Sequence, residues 1–157
     1  MVKKVALATT LAIISITFAA AADTPSPFIG KWVLNIQKSN FANDPPLKSE
    51  MFTIADPGDG TWHTIVDYVE GDTPNHVEYT TVGNGKAVPV TGSAEADSVV
   101  LTKVDPTTVK FVFKKSGKPV EWGSYTLSKD GKTLRGPISG KEPDGKLWKW
   151  HYVFERQ

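Results

Sequence analysis

The residues able to do chemistry are few and scattered. His63, His76 and His151 are the three histidines, and none stands in a His-x-His or His-x-x-x-His pair. A metal centre would have to gather them from separate strands with Asp67 or Glu78, so exposed strand histidines are the expected reading and no metal is assigned. Tyr68, Glu70, Glu121 and His151 would make a general acid–base set if they faced one cavity, since aromatic surroundings raise a carboxyl pKa by desolvation. Their spacing does not select them over their neighbours, so no catalytic residue is assigned. No Gly-x-Ser-x-Gly elbow, phosphate-cradling loop or dinucleotide fingerprint occurs, and no cofactor is expected. The absence of cysteine removes thiolate nucleophiles, iron–sulfur clusters and Cys-bound zinc. Lys110, Lys114, Lys115 and Lys118 form a basic run, read as lysines that keep a strand edge soluble, with contact to acidic lipid or polysaccharide as the functional alternative.

The elements that must position these groups begin after a leader. Met1-Val2-Lys3-Lys4 gives a basic start, Val5 to Phe18 an apolar run and Ala20-Ala21-Ala22 a small-residue cleavage pattern, so residues 1–22 read as a secretory signal and 23–157 as the mature domain. A retained membrane anchor is the rival reading; the alanine-rich end and the following Asp-Thr-Pro-Ser-Pro favour removal, leaving no stable membrane insertion. A chain of 157 residues, 39% hydrophobic and 22% charged, suits one domain with one core. The formal charge of +1 includes Lys3 and Lys4, so the mature part is close to neutral and is not built to attract nucleic acid. A cysteine-free exported domain without an Asn-x-Ser/Thr site points to a secreted or periplasmic bacterial protein.

Beyond the leader, short β-branched and aromatic runs alternate with Gly, Pro, Asn and Asp clusters. Strands are expected near 28–36, 49–55, 61–70, 75–82, 86–91, 97–104, 107–115, 118–128, 132–139 and 146–155, with no helix. Reversals such as Asp56-Pro57-Gly58-Asp59-Gly60, Gly83-Asn84-Gly85 and Lys129-Asp130-Gly131 join them in sequence order. The fold class that follows is all-β, an antiparallel up-and-down barrel of about 8–10 strands whose closure removes exposed edges; a two-sheet sandwich is the alternative. Pro137 should break a ladder and mark a bulge or an edge. Residues 37–48 form the one long connection, in which Phe41 and Leu47 are placed to fold over one mouth.

Alternation along strands assigns faces. Trp148, Trp150, Tyr152 and Phe154 share one side of the last strand; Phe28, Gly30, Trp32 and Leu34 share one side of the first; Val109, Phe111 and Phe113 oppose Lys110, Val112 and Lys114. Trp62, Thr64, Val66, Tyr68 and Glu70 are expected to point inward, as are Trp122, Ser124 and Thr126. Buried hydroxyls must find partners or cost about 1–3 kcal/mol, so their number fits a cavity holding water or a ligand; the alternative is that they bond one another or point out, since a bulge shifts the inward phase by one residue.

Phe28-Ile29-Gly30-Lys31-Trp32-Val33-Leu34 resembles the Gly-x-Trp opening of lipocalins and of the related intracellular fatty-acid-binding proteins, together called calycins. The resemblance implies that Gly30 and Trp32 close one end of the barrel and that Arg156 stacks on the Trp. A wider likeness to small exported bacterial lipocalin-like proteins runs through Gly30-Lys31-Trp32-Val33-Leu34-Asn35 with Lys38-Ser39-Asn40-Phe41, Val88-Pro89-Val90-Thr91-Gly92-Ser93 with Ala96-Asp97, and Leu127-Ser128-Lys129-Asp130-Gly131-Lys132-Thr133-Leu134. The Arg-x-Tyr with which fatty-acid-binding proteins hold a carboxylate is replaced by His151-Tyr152-Val153-Phe154, and their helical lid is missing, so fatty-acid carriage is not implied.

The expected function is binding of a small hydrophobic or amphipathic ligand in the lumen, with Trp32, Trp62, Tyr68, Tyr79, Phe111, Phe113, Trp122, Ser124, Trp150 and Tyr152 as candidate lining. A calycin-type isomerase or lyase, and a structural envelope protein with a filled barrel, are the alternatives.

Overall fold

The computed structural model describes residues 25–42, 44 and 46–157; the leader expected over 1–22 lies outside them. Ten strands follow in order: β1 Gly30–Leu34, β2 Ser49–Ala55, β3 Trp62–Glu70, β4 Thr73–Thr81, β5 Asn84–Pro89, β6 Ser98–Asp105, β7 Thr108–Lys115, β8 Lys118–Leu127, β9 Thr133–Lys141 and β10 Leu147–Arg156. They form one antiparallel sheet in the order β4-β3-β2-β1-β10-β9-β8-β7-β6-β5. Apart from the β1–β10 pairing that links the chain's two ends, every neighbour is a hairpin partner, so this is an up-and-down, lipocalin-like barrel without a helix among the described residues.

Closure is nearly complete. Between β4 and the end of β5, Glu78 and Thr91 exchange backbone hydrogen bonds of 3.0 Å in both directions. Gly92 lies so close to the His76 carbonyl that a Cβ there would strike it, which is how the two edges come together.

The ladder explains three departures from expectation. Pro137 sits on β9, inside the sheet rather than at its edge. Pairing with β8 lapses between Gly123↔Ile138 and Thr126↔Arg135 but resumes in the same register, so the missing N–H interrupts the ladder without a bulge. Lys110 and Lys114 likewise belong to β7, an interior strand, and project from its outer face; the sheet's edges are β4 and β5.

The third departure is β8. Phe113 pairs with Glu121, Phe111 with Gly123 and Val109 with Tyr125, and paired residues share a face. Glu121, Gly123, Tyr125 and Leu127 therefore turn inward, while Trp122, Ser124 and Thr126 turn outward. The backbone decides this: Gly123 lies against the Pro137 carbonyl, at 2.6 Å from where a Cβ would stand, and only a glycine fits that approach. A register shift between Phe113 and Lys114, where Lys114 meets Pro119, sets the phase of the whole strand.

Candidate functional site

Antiparallel pairing gives the barrel a closed end and an open end. At the closed end β1 begins and β10 finishes. Trp32 is 0% exposed, its indole Nε1 donating to the Phe28 carbonyl at 3.0 Å, and Phe154, Leu134 and Trp62 are buried around it. The Arg156 guanidinium lies 4.2 Å from the Trp32 ring centroid, a cation–π stack, and donates to the carbonyls of Gly131, Ile29 and Pro27. Gly30 is where the chain passes this group: its φ of +139° is open to glycine, and a Cβ would stand 2.5 Å from Arg156 Nη1. Beside it Lys103 caps the Trp62 ring at 4.1 Å. Trp32, Trp62, Gly30 and Arg156 thus form a packed base below any hollow.

A layer of rings crosses the middle. Phe52 meets Phe154 at 4.7 Å and Tyr125 at 5.9 Å, and Tyr125 meets Phe111 at 5.5 Å between centroids. Since β2 and β8 are separated by three strands in the sheet, the Phe52–Tyr125 contact spans the barrel and closes its lower half.

Above that layer the packing opens. Val66, Tyr68, Tyr79, Phe113, Trp148 and Trp150 face inward and are only partly buried, as are Glu50 and Glu121. These inward side chains are less completely covered than those of the base, so the upper interior is packed more loosely than the lower. A separate recess of about 520 Å³ lies at the open end, lined by Val33, Met51, Asp67 and His76 from the outer face together with Glu50 and Tyr68.

The connection from β1 to β2 covers this half. Asn40 and His151 exchange backbone hydrogen bonds of 2.8 Å, so the segment continues along β10 where β1 has ended. Phe41 and Leu47 are buried; Phe41 packs on Trp150 at 5.4 Å and on Tyr152 at 5.5 Å. Asn43 and Pro45 of this connection lie outside the described residues.

Electrostatically the hollow is acidic. Burial pushes the Glu50 carboxyl up to about 8, with the charge of Glu121 adding to it. Burial, then Glu95, pushes Glu121 up to about 7. Tyr68 and Tyr79 are held at about 12, mainly by burial, and Tyr125 and Tyr152 are raised for the same reason, so these phenols stay protonated and can donate hydrogen bonds. The Thr64 hydroxyl, 2% exposed and inward-facing, has no hydrogen-bond partner among the described residues; the Tyr79 hydroxyl is near enough to feel it but falls short of bonding geometry.

Of the sequence candidates, Tyr68, Tyr79, Phe113, Trp150 and Tyr152 meet around the hollow and Phe111 forms part of its floor, whereas Trp122 and Ser124 stand outside on β8. Of the acid–base set, Tyr68 and Glu121 face inward, Glu70 is exposed at the end of β3 and His151 points out from β10. His76 bonds Asp67 at 2.6 Å and Glu78 at 2.7 Å on the outer wall. No group of three or more His, Asp or Glu among the described residues is arranged to hold a metal ion. Sequence reasoning missed Glu50 and Tyr125, and placed Trp148 on the inward side of β10 without naming it in the lining. The signal was present: Glu50 shares its phase with Phe52 and Ile54, and Tyr125 with Leu127.

No family model matches the chain, and no curated protein matches it. Solved structures do. Rv2717c from M. tuberculosis is similar with a TM-score of 0.55 at 15% identity, over 84% of this chain and 94% of that one. Zebrafish ileal bile acid-binding protein complexed with cholic acid is similar with a TM-score of 0.51 at 12% identity, over 84% of this chain and 100% of that one. At such identities the likeness is one of fold, a calycin-type barrel, and says nothing of individual site residues. No helix of the described residues is long and apolar enough to cross a membrane.

Proposed function

We propose that this chain is an exported binding protein, secreted or periplasmic, that takes one small apolar or amphipathic molecule into the upper half of its barrel. The observation that carries the reading is the change of packing along the axis: rings and aliphatic side chains are closed below Phe52 and Tyr125, and rings, phenols and carboxyls remain accessible above them. A barrel filled for structural purposes would have no reason to leave Glu50 and Glu121 inside without partners. Apolar walls supply affinity, and the phenols orient the guest. The zebrafish protein, a barrel of the same type complexed with cholic acid, supports the reading by analogy. Export rests on the leader pattern at 1–22.

Titration with decan-1-ol tests the binding reading. Trp148 and Trp150, stacked at 4.2 Å, stand at the mouth, so saturable binding should shift or quench indole emission. Linear, non-saturating change or none at all would remove the hollow as a ligand site. For export, the mass of the protein recovered from its own host should correspond to a chain starting at Asp23; recovery with residues 1–22 still attached would contradict it.

The isomerase or lyase reading draws on one observation, a Glu121 carboxyl pushed up to about 7 in the same hollow as Tyr68, a value suited to proton transfer near neutrality. It requires turnover with a bell-shaped pH–rate curve lost in Glu121→Gln, and binding without turnover would dismiss it.

A further inference from the structure

Charge inside the barrel is sorted by end. Lys103 and Arg156 belong to the closed end, where each is placed on an indole ring. Above the aromatic layer, the inner face carries Glu50 from β2 and Glu121 from β8, with Glu70 and Glu95 closer to the rim. Among the described residues, the inner faces of β1 to β4 and β6 to β10 carry no Lys, Arg or His between those two ends. Lys115 and Lys118 pair at the turn beyond Phe113 and Glu121, at the rim.

Glu50 and Glu121 are partly buried on the inner face, and neither accepts a hydrogen bond from a described residue. Burying a carboxyl group without a partner is costly. Thr64 adds an independent sign beneath them: its inward hydroxyl is buried and unpaired. Three polar groups inside one barrel therefore lack partners, two of them acids that become anions when a cation arrives.

We propose that the ligand of the upper barrel is an amphipathic amine, with its apolar body against the ring walls and its protonated nitrogen held between Glu50 and Glu121. This rests on the reading of the hollow as a ligand site and narrows it. An ammonium is attracted by the carboxylates and by the faces of Tyr68 and Trp148. A fatty or bile acid would bring another anion among acids in a poorly hydrated space, where like charges repel strongly.

The pH dependence follows from every titratable group that faces the pair. These are Tyr68 on β3, Tyr79 on β4, Tyr125 on β8 and Tyr152 on β10, with Glu70 and Glu95 near the rim and the cations Lys115 and Lys118 at the rim turn beyond Glu121. The phenols keep their protons through neutrality, so the two glutamates are the groups that respond. Amine binding ionises them and releases protons, and amine affinity rises between about pH 6 and about pH 8.5.

The test compares decan-1-amine, decan-1-ol and decanoate on the full chain by calorimetry, in two buffers of different ionisation enthalpy. The amine should bind at least about tenfold tighter than the alcohol, with proton release, and decanoate should bind weakest. Glu50→Gln with Glu121→Gln, which imitates the protonated pair in shape, should bring the amine-to-alcohol ratio close to one. Decanoate binding as tightly as the amine, amine binding without proton release, or an amine preference that survives the double substitution would overturn the proposal while leaving the hollow as a site for neutral guests. If decan-1-ol also fails to bind, the hollow is no ligand site and both readings fall.

Discussion

The indole Nε1 of Trp150 donates a 2.9 Å hydrogen bond to Asp44 Oδ2, tying the long connection between β1 and β2 to the inner face of β10. The same ring packs edge-on to Phe41. One tryptophan thus serves both as wall of the hollow and as latch of the segment that covers it.

Weakening that latch should loosen the cover before it loosens the barrel. Asp44→Asn keeps size and removes charge, at a cost of about 1 kcal/mol. Exchange of the Asn40 amide proton, bonded to the His151 carbonyl, should accelerate roughly fivefold, while amides of β2 and β3 keep their rates. Equal acceleration throughout the barrel would show that the segment is not an independent unit.

Arg156 should be the most costly side chain to remove at the closed end. It satisfies three carbonyl groups and lies on Trp32, so Arg156→Ala is expected to lose about 3 kcal/mol in urea unfolding. Arg156→Lys restores charge but not the planar fork, and should recover less than half of the loss. Full rescue by lysine would mean that charge alone matters there.

The buried acids give stability a definite slope with pH. A carboxyl group whose folded-state pKa is raised above the ordinary 4.5 favours the fold below that value, and the contribution is lost as pH climbs through the folded values of about 7 for Glu121 and about 8 for Glu50. Thermal unfolding should therefore move down by a few degrees, on the order of 3–6 °C, between about pH 5 and about pH 8.5. Asp97, Asp105 and Asp130 are held below their usual value by hydrogen bonds; their contribution is lost only as pH falls through the acid range, outside that window. Glu50→Gln with Glu121→Gln should flatten the slope, and an unchanged slope would place those carboxyls in water.

On the outer wall, hydrogen bonds to Glu78 first and Asp67 second raise the His76 imidazole above its ordinary value. Resonances of its ring protons should titrate above 6.5, and Glu78→Gln should bring the midpoint down. If Glu78→Gln leaves the midpoint where it was, the 2.7 Å contact does not persist in solution.

Much of this architecture can be read from the chain before any coordinates. The ten runs of β-branched and aromatic residues became ten strands, and the alternating rings of β10 do line the interior, because a strand that is apolar on one side has only one way to face a core. β8 departs from the expectation because side-chain size is no sign of inwardness there. Trp122 is large, but the inward positions beside Ile138 and the Pro137 carbonyl admit only Gly123, and that close approach is a property of two strands together. The acidity of the hollow was half visible: Glu121 stood among the candidates for acid–base chemistry, but its placement opposite Glu50 depends on the register shift at Phe113 and Lys114, which no spacing within β8 reveals.

The central claim is that a small guest sits among the rings of the upper barrel, and the five tryptophans report on it position by position. In a nitrogen–proton correlation spectrum of the uniformly labelled protein, added decan-1-ol should move the indole signals of Trp148 and Trp150 and leave Trp122, on the outer face of β8, where it was. Trp32 and Trp62, packed in the base, should respond weakly. Movement of Trp122 with stationary Trp148 and Trp150 would put the guest on the outside of the barrel and contradict the account.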